Sequence, residues 1–310
     1  MENIDRFGKL KLIRLDQGFL KYPSPPFFTV FTTERTAEKS QRAINMNQKQ
    51  DFQRRFGGVS RLYGKQALNK FSSAHVIIIG IGGVGSWVVE ALARNAIGTL
   101  TLIDMDIVAE SNINRQLPAL SSTIGRNKID VMEARIHEIN PDCVVNKIDD
   151  FITQDNIAEM ISIDATFVID CIDNSRVKAA MIAWCKRQKI KIITIGGAGG
   201  QIDPSLIKIA DLSRTEHDPL LSKTRKLLRQ DYGFSINPKR RFAIPCVFSS
   251  EHLRYATVMG DISQQKPNND STPNNKGNNL SCAGGLGSSV MVTASFGFMA
   301  VAYVLKKINT

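Results

Sequence analysis

The sequence predicts an α/β fold built on a doubly wound, mostly parallel sheet. Three observations carry that prediction. The apolar run Val76-Ile77-Ile78-Ile79 leads directly into Gly80-Ile81-Gly82-Gly83-Val84-Gly85-Ser86, and then into Trp87-Val88-Val89-Glu90-Ala91-Leu92-Ala93. That order reads as a buried strand, a glycine-rich turn and a helix. A second apolar run, Leu100-Thr101-Leu102-Ile103, ends in Asp104, so residues 75–104 form a βαβ unit. Strands and helices then keep alternating, a pattern that places helices on both faces of a parallel sheet.

The remaining elements follow in chain order. Residues 1–45 mix charges, carry Pro23-Ser24-Pro25-Pro26 and hold no hydrophobic period, so a disordered extension is expected there. A single domain is expected over 46–310. Lys128–Ile139 has apolar residues at helical spacing and stops before Asn140-Pro141. Val144–Ile148 and Phe167–Asp170 read as strands, Arg176–Gln188 as a helix, and Lys191–Ile195 as a strand running into Gly196-Gly197-Ala198-Gly199-Gly200. Residues 75–195 therefore form a Rossmann-like half. Residues 196–260 form a second half that leans towards antiparallel pairing. Residues 261–279 are Asn, Gln, Ser, Pro, Lys and Gly with little to bury, and read as a disordered loop. An apolar helix is expected within 281–310. Its segment 286–305 has no charge and is followed by Lys306-Lys307, so by length it passes as a membrane contact. It is also rich in Gly, Ser, Ala and Thr, which suits a tightly packed core helix.

Composition narrows the class. Apolar residues make up 43% of the chain, enough for a core, and the net charge of +11 favours a polyanionic partner. The five cysteines include no C-x-x-C pair, which argues against a structural zinc site and a disulfide scaffold. The N-terminus has no continuous apolar run of the secretory kind. A cytoplasmic, reducing setting follows, with membrane association through 286–305 as the alternative.

A glycine-rich turn between strand and helix lets backbone amides approach a phosphate, with the helix N-terminus behind them. Gly80, Gly82, Gly83, Gly85 and Ser86 are the candidate phosphate residues, and Asp104 is placed to hold ribose hydroxyls. Such a loop alone serves NAD or FAD as readily, so a dehydrogenase stays open at this point. Asn112-Ile113-Asn114-Arg115-Gln116, Gly125-Arg126-Asn127-Lys128 and Asp170-Cys171-Ile172-Asp173-Asn174 add two cations and an acid near the same edge. Arg115 and Lys128 suit a triphosphate, and Asp173 suits Mg²⁺ shared with phosphate oxygens. Hydride transfer needs none of these.

These residues together resemble the ubiquitin-activating-enzyme-like adenylating enzymes. The pattern is G-x-G-G-x-G-S, D-x-D, N-x-x-R-Q, G-x-x-K and D-x-x-D-N, collinear from Arg55 to Ala256. Within that superfamily the chain is most similar to the tRNA threonylcarbamoyladenosine dehydratase branch. The features that carry this are Arg55-Phe56-Gly57-Gly58, Arg61-Leu62-Tyr63-Gly64, Gly196–Pro204, Asp218-Pro219-Leu220 and Cys246-Val247-Phe248-Ser249. The resemblance implies ATP and Mg²⁺ as cofactors, with Asn112, Gln116 and Asn174 helping to form the nucleotide site. It implies a carboxyl adenylate on threonylcarbamoylated tRNA and ring closure with loss of water. It also implies a homodimer and partnership with a cysteine desulfurase and sulfur-acceptor system. Adenylation of a small ubiquitin-like or sulfur-carrier protein is the alternative, although the zinc pairs of those relatives are missing. An adenylation arginine of the family stands where this chain has Gly58, so Arg55 or Arg61 takes that role, reaching across a dimer.

Cys246 and Cys282 are candidate acyl acceptors, and His217 and His252 candidate catalytic groups. Lys239, Arg240 and Arg241 head a basic stretch in which Tyr232, Phe234 and Phe242 are interleaved, a pattern suited to RNA.

Overall fold

The computed structural model describes residues 50–257, 261–265 and 286–310. The chain divides into two units, Met1–Gln50 and Asp51–Thr310, and the second is the subject here. The expected extension over 1–45, most of the loop over 261–279, and Cys282 lie outside the described residues.

Residues 51–63 are helical (α1). There follow α2 (Lys65–Ser72), β1 (His75–Ile79), α3 (Gly85–Arg94), β2 (Thr99–Ile103), α4 (Lys128–Ile139), β3 (Val144–Ile148) and the short α5 (Ile157–Met160). Then come β4 (Phe167–Asp170), α6 (Ser175–Arg187), β5 (Ile192–Ile195), β6 (Ile207–Asp211), α7 (Pro219–Asp231) and β7 (Pro245–Ser249). A hairpin of β8 (Tyr255–Ala256) and β9 (Ile262–Ser263) precedes α8 (Val290–Asn309). The main sheet has the order β3-β2-β1-β4-β5-β7-β6. All its neighbours are parallel except β6, which runs antiparallel on the edge. The doubly wound sheet is therefore as the sequence predicts. Among the described residues, the antiparallel strand pairs are β6–β7 and the β8–β9 hairpin, with one isolated antiparallel bridge between Ile107 and Asn127.

The central strand explains why the sheet needs cover on both sides. Side chains alternate along a strand. Val76 and Ile78 enter one core with Val88, Leu92, Phe296 and Val304, while Ile77 and Ile79 enter the other with Ala179, Ile182 and Leu221. α3 and α8 therefore close one face, and α6 and α7 the other.

α8 is the described helix that is long and apolar enough to cross a membrane. Here its Val292, Phe296, Ala300 and Val304 are buried against the sheet and α3. Gly297 explains the small residues: a Cβ there would lie 3.0 Å from the Val84 carbonyl, so α8 and α3 meet backbone to backbone. Met291 and Phe298 remain exposed.

The basic cluster sits apart from the glycine-rich loop. Asp211 of β6 pairs with Pro245, the first residue of β7, and its carboxylate accepts from the Phe242 and Ile244 amides. Lys239, Arg240 and Arg241 thus lie at the amino edge of the sheet, one strand height, roughly 15 Å, from the carboxyl edge. Phe242 is buried against Phe234, with ring centroids 5.0 Å apart, so the expected use of Phe242 as a stacking surface is corrected.

Candidate active site at the carboxyl ends of the strands

β2, β1, β4, β5 and β7 end side by side, in that order, and each end carries a candidate group. The turn after β1 holds the glycines. Gly80 adopts φ 86°, a conformation that side chains disfavour. A Cβ on Gly85 would fall 1.8 Å from the Gly80 carbonyl, so only glycine lets α3 start this close to β1. The first turn of α3 has no side-chain cap, and its Ser86 and Trp87 amides bond back to the Gly82 and Val84 carbonyls, so what it offers an anion is the helix N-terminus behind the glycine-rich turn.

Asp104 stands at the end of β2. Its carboxylate accepts from the Ile81 amide at 2.5 Å and the Asp106 amide at 2.8 Å. It therefore faces the loop with both oxygens fixed, each retaining a lone pair for a ribose hydroxyl. Burial pushes its carboxyl up, against the nearby Lys128 charge and the two amides. Lys128 itself is buried and bound to Asp106 at 2.7 Å. It reaches the same corner, held through an acid.

Arg115 is half-buried, and its guanidinium donates to the Ser111 carbonyl at 2.6 Å and to Asn114 Oδ1 at 3.0 Å. It lies beside Gly83, whose added Cβ would meet the Arg115 chain at 3.4 Å. Gln116 lies beside Gly82, and its Oε1 is buried with no partner among the described residues. An acceptor left without a donor there can be satisfied by a nucleotide's hydroxyl or amino group, and not by its phosphates, which only accept. Asn112 turns its Oδ1 to the Ala109 amide and shapes this loop from within.

The end of β4 supplies the acid. Asp173 is exposed and its carboxylate is unpaired among the described residues. Asp170 is not free. It is fully buried, bound to Lys178 at 2.8 Å and to Thr194 at 2.6 Å, while Lys178 also donates to the Ile195 carbonyl. This network braces β4, β5 and α6 under the site. No group of three or more His, Cys, Asp or Glu forms a metal cage among the described residues. A Mg²⁺ ion would therefore be held by Asp173 together with phosphate oxygens, which suits its preference for few protein ligands.

Several sequence assignments are corrected. Ser86 does not face a phosphate: its hydroxyl is fully buried and accepts from the Leu117 amide at 3.2 Å. Asn174 caps α6, accepting from the Arg176 and Val177 amides. Arg55 pairs with Asp51 at 2.7 Å and donates to the Glu138 carbonyl at the end of α4, near the opposite edge. Cys246 lies inside β7 at zero exposure, and burial holds its thiol well above the ordinary range. A buried, protonated thiol offers an acyl group no nucleophile.

Two further contacts have no signal in the sequence. Trp87 and Thr293 both donate to the Arg115 carbonyl, from α3 and α8. His217 and His252 meet with ring centroids 4.1 Å apart. No spacing announces either contact, because the partners are distant along the chain.

The arrangement is one sheet edge with a glycine-rich turn, Asp104, two cations and an acid that is unpaired among the described residues, groups of the kind that a nucleotide needs. The chain is 52% identical over 258 residues to the tRNA threonylcarbamoyladenosine dehydratase of Haemophilus influenzae, covering 83% of this chain and 94% of that protein. It is 48% identical over 256 residues to the Escherichia coli enzyme of the same name, with 83% and 94% covered. The solved structure of the Escherichia coli tRNA N6-threonylcarbamoyladenosine dehydratase in complex with ATP superposes with a TM-score of 0.72 at 46% identity, over 83% of this chain and 95% of that one. Residues 54–309 match the profile of the ThiF family, and the chain belongs to that family.

Proposed function

We propose that this chain uses ATP to activate the free carboxylate of a threonylcarbamoyl group on tRNA adenosine next to the anticodon, and so drives its cyclisation. The observation that carries this reading is the near full-length similarity to the two bacterial dehydratases, joined to an edge that presents Arg115, Lys128 and Asp173 around a phosphate loop.

The substrate carboxylate attacks the α-phosphorus of ATP, and pyrophosphate leaves. The ureido group of the same side chain then attacks the acyl carbon. AMP leaves, the ureido proton is released, and the ring has lost one water overall. The attack is intramolecular, so no side-chain nucleophile is required, in keeping with the burial of Cys246. The protein supplies position and charge. The Gly80–Gly85 turn seats phosphates, Asp104 orients the ribose, and Arg115 and Lys128 offset phosphate charge. Mg²⁺, when bound at Asp173, neutralises phosphate oxygens.

We further assign the chain to a homodimer in the cytoplasm, served by a cysteine desulfurase and sulfur-acceptor system, with RNA contact at Lys239, Arg240 and Arg241. The burial of one face of α8 supports a core role for that helix over a membrane anchor.

The test is mass spectrometry of nucleosides from threonylcarbamoylated tRNA incubated with protein, ATP and Mg²⁺. The expected result is loss of one water from the modified nucleoside, with AMP formed in step. Asp173→Ala and Arg115→Ala should each lower turnover by about 100-fold with the fold intact. Product formed with NAD in place of ATP would refute the reading.

A further inference from the structure

The carboxyl ends of β2, β1 and β4 carry the groups assigned above to the nucleotide. Two further strand ends, β5 and β7, continue the same row. Just beyond them lies a cavity of about 380 Å³, lined by His217, Ser222, Arg225, His252, Tyr255 and Gln264. Its size is that of a small-ligand pocket. Its centre stands about three strand spacings, roughly 15 Å, from the glycine-rich turn. The nucleotide runs from Asp104 through the turn to Asp173, so the cavity lies on the side from which an acceptor must approach.

The cavity wall is built and held. Asp218 is buried, and its carboxylate accepts from the Leu221 amide at 2.9 Å and from the Gly197 amide at 2.9 Å. That ties α7 to the glycine-rich loop after β5. Gln201 donates to the Gly197 carbonyl at 3.2 Å, and its buried Oε1 has no partner among the described residues. His217 holds φ 53°, an uncommon conformation for a residue with a side chain, and presses its exposed ring on that of His252. Backbone strain that positions an exposed ring is a mark of function when a cavity opens beside it.

The rings identify the ligand. Exposed imidazoles and a tyrosine beside a guanidinium form a stacking surface for a nucleobase displaced from an RNA loop. We propose that this cavity receives the purine that carries the reacting carboxylate. The base lies against His217, His252 and Tyr255, with its acyl arm directed along the row of strand ends towards the end of β4, about two strand spacings away. This rests on the reaction assigned above and names the subsite that the acceptor occupies.

Steady-state kinetics with threonylcarbamoylated tRNA test it. His217→Asn keeps a residue that tolerates positive φ, and His252→Ala removes an exposed ring. Each should raise the KM for tRNA about tenfold, with the Kd for ATP and the melting temperature unchanged. His252→Phe, which restores a stacking face, should return KM towards wild type. Wild-type KM in both His217→Asn and His252→Ala overturns the subsite. A KM that His252→Phe leaves as high as His252→Ala does overturns stacking as its basis. Absence of cyclised product from the wild-type protein overturns instead the reaction on which the proposal rests.

Discussion

The indole nitrogen of Trp87 donates to the backbone carbonyl of Arg115 at 3.0 Å. The helix that begins at the glycine-rich turn therefore also holds the loop that carries Arg115, the residue proposed to meet the triphosphate. Ser86 adds a second tie one residue earlier, through the Leu117 amide. α8 adds a third, from Thr293 to the Arg115 carbonyl, and the chain just before α8 a fourth, through the Ser288 carbonyl, which accepts from Asn114. Residues that look peripheral to the chemistry set where the Arg115 charge lies.

Trp87→Phe should separate positioning from packing. The ring still meets Phe298, which Trp87 contacts edge-on with centroids 5.9 Å apart. The hydrogen bond is lost together with part of a half-buried ring, so stability should fall by about 1–2 kcal/mol. Turnover should fall about fivefold, because the Arg115 loop is less fixed. Turnover equal to wild type would show that the tie does not matter for catalysis.

Lys178→Met should be far more damaging to the fold. Lys178 and Asp170 are both at zero side-chain exposure. Removing one partner leaves a buried charge, an effect of about 3–5 kcal/mol. Urea unfolding measures it. A loss below about 1 kcal/mol would mean that water reaches the pair.

Glu90 gives a pH signature. Burial pushes its carboxyl up, but hydrogen bonds and charge from Arg135 and Arg94 outweigh this and hold it below the ordinary range. Arg135 grips it with two bonds, at 2.6 and 2.9 Å. A depressed folded pKa adds stability above the unfolded value, about 4.3, and that stability is lost as pH falls through the folded value. Glu90→Gln should therefore cost about 1 kcal/mol at neutral pH, since both arginines are largely exposed. The gap from wild type should close in acid. A gap that stays constant as pH falls would assign the loss to packing.

The sequence and the structure part company along a physical line. The β1–turn–α3–β2 unit is readable because local periodicity and glycine geometry dictate it. Gly80 and Gly85 are needed for reasons that neighbours in the chain supply. β6, α7 and β7 carry no such local signal, so the sequence alone does not resolve the elements of that half. Ser86 and Asn174 have the right chemistry for a ligand, but tertiary packing makes Ser86 a loop tether, and Asn174, by a purely local bond, caps the helix that it begins. Cys246 reads as a nucleophile until β7 is found inside the sheet. The His217–His252 contact joins two loops that no spacing rule connects.

The basic cluster makes its own demand. Lys239, Arg240 and Arg241 are exposed at the amino edge, away from the proposed chemistry. A tRNA is large enough to touch both edges. Replacing all three with alanine should weaken tRNA binding and flatten its salt dependence, in proportion to the number of phosphates that the three cations neutralise. ATP affinity should not change. A salt slope equal to wild type would make the cluster an ordinary solvated surface.

The two candidate adenylation arginines now differ. Arg55 is committed to Asp51 and the end of α4, so Arg55→Ala should lower stability by about 1 kcal/mol, with turnover little changed. Arg61 is exposed, makes no hydrogen bond or ion pair among the described residues, and folds back over Gly57, whose added Cβ would lie 3.5 Å from it. Gly57 and its neighbour Gly58 leave its guanidinium room to swing out. Arg61→Ala should leave the melting temperature alone and lower turnover steeply. If Arg61 acts across a dimer, an inactive Arg61→Ala protein mixed with inactive Asp173→Ala protein should regain part of the activity, because one site in each mixed dimer is complete. An Arg55→Ala protein that is inactive alone and regains activity in the same mixture, or full turnover in Arg61→Ala alone, would give the role to another residue.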